Sequence, residues 1–137
     1  MTTPSAFRVR RLPRPHDPAA DRRKKRSTSP AQALDLALAT AAQRAGLLLT
    51  FVADEFGTLV ASSPTALDLT TLAAVTPIVG RGRAKANIRH NGAPVELAVR
   101  PIQVLDETLY VAGLGGELGP RSREVHGLAH ATRRILG

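Results

Sequence analysis

The chain has 137 residues, no cysteine, no tryptophan and a formal net charge of +8. The lack of cysteine excludes disulfides, thiolate nucleophiles and cysteine-rich zinc sites, and no apolar stretch approaches the roughly 18 residues that a membrane span needs. The charge is unevenly shared: residues 1 to 30 hold nine basic groups against Asp17 and Asp21, hence +7 of the +8, and the remaining 107 residues hold ten basic and nine acidic groups.

The N-terminal segment contains Pro4, Pro13, Pro15, Pro18 and Pro30, with only Phe7, Val9 and Leu12 as bulky apolar groups. Such a composition buries too little surface to offset the entropy of ordering, so a disordered, basic, proline-rich tail is expected over residues 1–29 and one domain over 30–137. Arg22, Arg23, Lys24, Lys25 and Arg26 place five cations within about 17 Å of extended chain. They suit nucleic acid, an anionic membrane surface or an acidic protein, with an affinity that falls as salt rises. No clean signal sequence precedes the domain, and the cytoplasm is the expected compartment.

Helix 1 is predicted from about 30 to 45. Ser29 suits the N-cap, Pro30 the first turn, Gln32 completes a capping box and Gly46 waits beyond the C-terminus. Leu34, Ala37, Leu38, Ala41 and Ala45 recur at helical spacing. Leu47 to Ala53 and Thr58 to Ser62 read as strands 1 and 2, joined by the turn Asp54-Glu55-Phe56-Gly57. Helix 2 is predicted from about 66 to 80 on Leu69, Leu72, Val75 and Val79, with Asp68 in its first turn. Pro77 lacks the N–H that would reach residue 73, so a kink or an end near Thr76 is expected.

Strand 3 alternates, with Ala84, Ala86 and Ile88 on one face and Lys85, Asn87 and Arg89 on the other. Asn91-Gly92 makes the turn, and Val95, Leu97 and Val99 resume the apolar face as strand 4. Glu96 is the acid placed to neutralise Arg89. Thr108 to Leu114 forms strand 5, and a last helix from about Pro120 sets Val125, Leu128, Ala129 and Ile135 opposite His126, His130, Arg133 and Arg134. The order α-β-β-α-β-β-β-α describes an α+β domain, a five-stranded antiparallel sheet with helices on its faces.

Complete catalytic constellations are not found. Gly113-x-Gly115 precedes a helix, but the third glycine falls at 119, one position beyond the dinucleotide fingerprint. Gly80 to Lys85 lacks the phosphate-loop spacing and reads at most as a secondary anion contact. His126 and His130 stand at i and i+4 without a third ligand. Asp54-Glu55 and Asp106-Glu107 are carboxylates of hairpin turns, and Ser62 and Ser63 lack a nucleophile context. Four aromatic residues, Phe7, Phe51, Phe56 and Tyr110, are too few for a base-stacking platform. No catalytic residue, metal or cofactor is expected.

The element order, the hairpin LLLTFVADEFGTLVASS over Leu47 to Ser63, the strand pair from Val95 to Gly113 ending in YVAG and the amphipathic last helix together resemble the roadblock/dynein light chain 7 (roadblock/LAMTOR-like) domain family in its bacterial form. GAF, profilin-like and longin sheets share parts of the pattern. The resemblance implies a noncatalytic homodimer that pairs strand 3 across a two-fold axis and packs its second helices side by side. It also implies regulation or scaffolding of a small Ras-like GTPase or its complex. Carried onto this chain, the dimer interface falls on Leu69, Leu72, Val75, Ala84, Ala86 and Ile88, and the partner-binding side of helix 2 on Thr70, Thr71, Ala74 and Ile78. Two other readings remain: a dimeric module whose basic tail binds nucleic acid or another polyanion, and a profilin- or GAF-like small-molecule sensor.

Overall fold

Helix α1 (Pro30–Ala45) is bounded at both ends by its own residues. The Ser29 hydroxyl accepts from the Gln32 N–H at 3.3 Å, and the Gln32 side chain accepts from the Ser29 N–H at 3.3 Å. Gly46 then closes the helix in the left-handed region, with φ 64°. The computed structural model describes residues 29–82 and 88–137. The tail cations Arg22, Arg23, Lys24, Lys25 and Arg26, and Ala84, Lys85 and Ala86 of the expected strand 3, lie outside the described residues.

The strands are β1 (Leu49–Asp54), β2 (Leu59–Ser62), β3 (Ile88–His90), β4 (Ala93–Val95), β5 (Leu97–Val104) and β6 (Glu107–Leu114). Helices α2 (Thr70–Gly80) and α3 (Leu118–Leu136) complete the order. Four strands form one antiparallel sheet in the order β2-β1-β6-β5, and β3 and β4 form a separate two-stranded ribbon. The architecture is α+β as the residue patterns predict, with one difference in the strands. The single expected strand 4 divides at Glu96, whose carbonyl accepts from the Gly115 N–H at 2.9 Å. There the chain passes from pairing with β3 (Val95 opposite Ile88) to pairing with β6 (Leu97 opposite Leu114). Pro101 is tolerated within β5 because that strand is an edge of the four-stranded sheet.

Strand alternation sorts the core into two sides. Val52, Ile102, Val104, Leu109 and Val111 face α1 and α3, where they meet Leu34, Leu38, Ala41, Val125, Leu128, Ala129 and Leu136. Leu49, Phe51, Ala53, Ala112 and Leu114 face the other way and pack with Leu69 and Ala73. Two helices cover the first side, and α2 alone, eleven residues long, lies over β1, β5 and β6 on the second.

Helix α2 starts four residues later than the expected position 66. The Thr65 hydroxyl accepts from the Leu67 N–H at 3.0 Å, and an Asp68 carboxylate oxygen accepts from the Thr70 N–H at 3.0 Å. These local side-chain bonds compete with helix formation and hold the approach to α2 in turns. Pro77 does not end the helix, which continues to Gly80. The Thr76 hydroxyl donates to the Leu72 carbonyl at 2.7 Å within it.

Candidate functional site

The side of the sheet under α2 carries the candidate site. Its position is fixed from the β1–β2 turn, where one Asp54 carboxylate oxygen accepts from the N–H groups of Phe56 and Thr58, each at 2.9 Å. That turn presents Gly57, with φ 81°, to the backbone of α2; a Cβ on Gly57 would lie 2.9 Å from the Ala74 Cα. Only glycine admits so close an approach in this conformation.

Because one short helix covers this side, its apolar band is incompletely buried. Leu69 is buried, whereas Leu72, Ile88, Val95, Leu97 and Val99 are half-buried around the same cluster, and Val75 on α2 is half-buried as well. Between α2 and β3 runs a groove of about 350 Å³ whose walls include Leu69, Leu72, Val75, Ile88 and Leu114. Asp68, Arg89 and His90 give it a polar rim. The structure thus brings together Leu69, Leu72, Val75 and Ile88, the described members of the expected dimer set. Thr70, Thr71, Ala74 and Ile78 are all exposed on α2, with Thr71 also reaching the groove wall.

The acidity of Asp68, at the groove's rim, is displaced. The Thr70 backbone N–H, then the Thr70 hydroxyl, hydrogen-bond its carboxylate and hold its pKa below the ordinary 3.8. Arg89 does not meet Glu96: its Nη1 donates to the Gly92 carbonyl at 2.7 Å across the β3–β4 turn. Glu96 turns instead to Arg121, whose Nη2 lies 2.6 Å from Glu96 Oε1. Arg121 Nη1 donates to the carbonyls of Gly115 and Gly116, each at 3.0 Å. Its guanidinium is 3% exposed, and sequence reasoning missed it. The available signal was its place four residues before Val125 on the buried stripe of α3.

Of the other residues weighed for chemistry, Ser63 and Gly113 have structural employment. Ser63 Oγ accepts from the buried Thr50 N–H at 2.9 Å, and Thr50 Oγ1 donates to the Leu38 carbonyl at 2.6 Å. His126 and His130 are exposed, with their rings edge-to-face at 4.8 Å. Gly113 lies under Val125, where a Cβ would approach Val125 Cγ2 to 2.8 Å. Among the described residues no cluster of three or more His, Cys, Asp or Glu is placed to hold a metal ion, and no helix is long and apolar enough to cross a membrane.

No protein-family model matches the chain, and no curated protein does. Solved structures do match. MglB of Myxococcus xanthus aligns with a TM-score of 0.57 at 17% identity, over 76% of this chain and 87% of that one. The gliding protein MglB of Thermus thermophilus aligns at 0.56 and 19% identity, over 78% and 90%. A structure described as MglB with a tetrameric arrangement aligns at 0.55 and 20% identity, again over 78% and 90%. At such identities the likeness is one of fold, and it agrees with the α-β-β-α order, the antiparallel sheet and the amphipathic last helix. This chain therefore has the roadblock-like fold that MglB also has.

Proposed function

We propose that the protein is a noncatalytic, homodimeric regulator or scaffold of a small Ras-like GTPase or its complex, acting in the cytoplasm. The observation that carries this reading is the half-buried apolar band along α2 and β3, on a fold shared with MglB. One helix cannot cover the second side of a four-stranded sheet, and a second copy of the same surface supplies what is missing. Leu69, Leu72, Val75 and Ile88, together with Ala84 and Ala86, form the interface. Thr70, Ala74 and Ile78 on the outer side of α2, with Thr71 at the groove's edge, meet the GTPase. The partner is affected by biasing its switch segments between arrangements, with no catalytic group supplied by the described residues of this surface. Sedimentation of the full chain is expected to show a dimer, and a nucleotide-loaded Ras-like GTPase from the same genome is expected to co-sediment with it. A chain that stays monomeric at every concentration, or that turns over nucleotide by itself, overturns the reading.

A second reading is favoured by the +7 charge of residues 1 to 30: a dimer that presents two basic arms to a polyanion. Five phosphate contacts through Arg22, Arg23, Lys24, Lys25 and Arg26 on duplex DNA give a log-log salt slope of roughly −4.5. Their replacement by alanine is expected to abolish that binding. Retained affinity would exclude these five residues as its source.

A further inference from the structure

A second apolar surface lies at one end of the sheet, away from the groove. Phe56, in the β1–β2 turn, is 75% exposed, and Leu105, in the β5–β6 turn, is 81% exposed. Leu105 has φ 57°, a backbone conformation that is sterically unfavourable for a residue with a side chain. It is the first of two residues joining Val104 to Glu107, a position at which hairpins ordinarily carry glycine. The fold thus holds a leucine in a strained conformation and leaves it in water, and nothing in the domain's own core repays this. The registers Asp54 opposite Leu109 and Val104 opposite Glu107 place both turns at the same end. Since β1 and β6 are neighbours, the turns lie about two strand spacings, or ~10 Å, apart. The exposed carboxylates Glu55 and Asp106 stand beside the two apolar side chains, and neither turn contains a cation. Arg133 and Arg134 belong to the last turn of α3, one layer behind the sheet.

The N-terminal segment begins at the same end. The Thr50 to Leu38 hydrogen bond sets β1 and α1 level. From there Asp54 lies four strand residues onward and Ser29 nine residues back along the chain, each about 13 Å in the same direction. The segment contains Phe7-Arg8-Val9-Arg10-Arg11-Leu12, apolar groups interleaved with arginines, followed by Pro13. We propose that this stretch of the chain's own N-terminal segment docks across the two turns, with Val9 and Leu12 on Phe56 and Leu105 and the arginines on Glu55 and Asp106. Three residues of chain span at most about 10 Å, so Val9 and Leu12 can bridge a separation like that of the turns. The 17 residues from Leu12 to Ser29 reach up to roughly 55 Å, ample for the connection. Docking brings opposite charges together and removes apolar surface from water at a cost reduced by the tether.

The chain has no native cysteine, so a spin label at Ser5→Cys marks the segment uniquely in the full-length protein. Loss of amide NMR signals is expected at residues 55–57 and 105–107, and not at Leu48, Gly115 and Gly116 at the opposite end. The losses should be reversed by Val9→Ser with Leu12→Ser, by Phe56→Ser with Leu105→Gly, and by high salt. Uniform attenuation, or losses that survive these replacements, overturn the proposal. So does a mixture of spin-labelled and isotope-labelled chains that shows the same losses, because the segment would then sit on a neighbouring copy.

Discussion

Arg121 is a cation removed from water at the start of α3, and its partners are unequal. It donates to two carbonyls of the tight Gly115-Gly116 loop, whereas the Glu96 side chain that it also meets is 77% exposed. Removing the acid therefore leaves the guanidinium with two acceptors, and removing the arginine strips two carbonyls of their donors and opens a void beneath the loop. Glu96→Gln is expected to cost about 0–1 kcal/mol, as for a solvent-screened pair. Arg121→Ala is expected to cost roughly 3 kcal/mol or more. Urea denaturation of both variants checks this asymmetry, and equal costs would refute it. Asp68 gives a second test. Its pKa is lowered in the folded chain, so the unfolded state binds the proton more readily and folding gains from the ionised carboxylate. That gain is complete above about 3.8 and is lost as pH falls through the lower folded value. In Asp68→Asn the decline of stability over this acid range should be shallower than in the parent chain, and an unchanged profile would exclude the Thr70 bonds as its cause.

At the scale of elements, what the sequence discloses follows the range of the forces involved. The capping box of α1 and the Asn91-Gly92 turn are local: both central residues of that turn have positive φ, 53° and 80°, as a two-residue hairpin demands. The N-terminus of α2 was misplaced because apolar spacing from Leu69 onward says nothing of Thr65 and Asp68, whose side chains bind nearby N–H groups. The break at Glu96 depends on a hydrogen bond to Gly115, 19 positions away, and the partners of Arg121 are disclosed only once α3 and the Gly115-Gly116 loop are packed. Helical periodicity marks Leu69, Leu72 and Val75, although periodicity alone does not separate a face that packs within the chain from one left half-covered. Gly57 is one of the contacts that set α2 on the sheet. Gly57→Ala puts a methyl group against the Ala74 backbone at a φ of 81°, and backbone cannot swing aside as a side-chain tip does. A loss of roughly 2–3 kcal/mol is expected in denaturant midpoint measurements, and a neutral result would mean that α2 shifts freely over β1.

For the whole molecule, the unequal layers are decisive. The side bearing α1 and α3 is sealed, and the side bearing α2 leaves Leu72, Val75 and Ile88 half in water. If a second copy covers that band, a carboxylate at Val75 is solvated in the single chain and desolvated only on association. Val75→Asp should therefore weaken the dimer far more than it weakens the fold. Burying even a neutral polar group costs roughly 1–3 kcal/mol and an ionised carboxylate more, so a rise of at least about 5- to 150-fold in the dissociation constant is expected for each buried carboxylate, and a two-fold dimer buries two. Ile78→Asp, on the outer side of α2, serves as the counterpart: it should leave self-association unchanged and reduce affinity for the GTPase partner proposed above. Sedimentation equilibrium separates the two surfaces, with thermal unfolding to show that each variant remains folded. If Val75→Asp dimerises as tightly as the parent chain while Ile78→Asp does not, the interface lies on the outer side of α2, and the groove is left free for the partner.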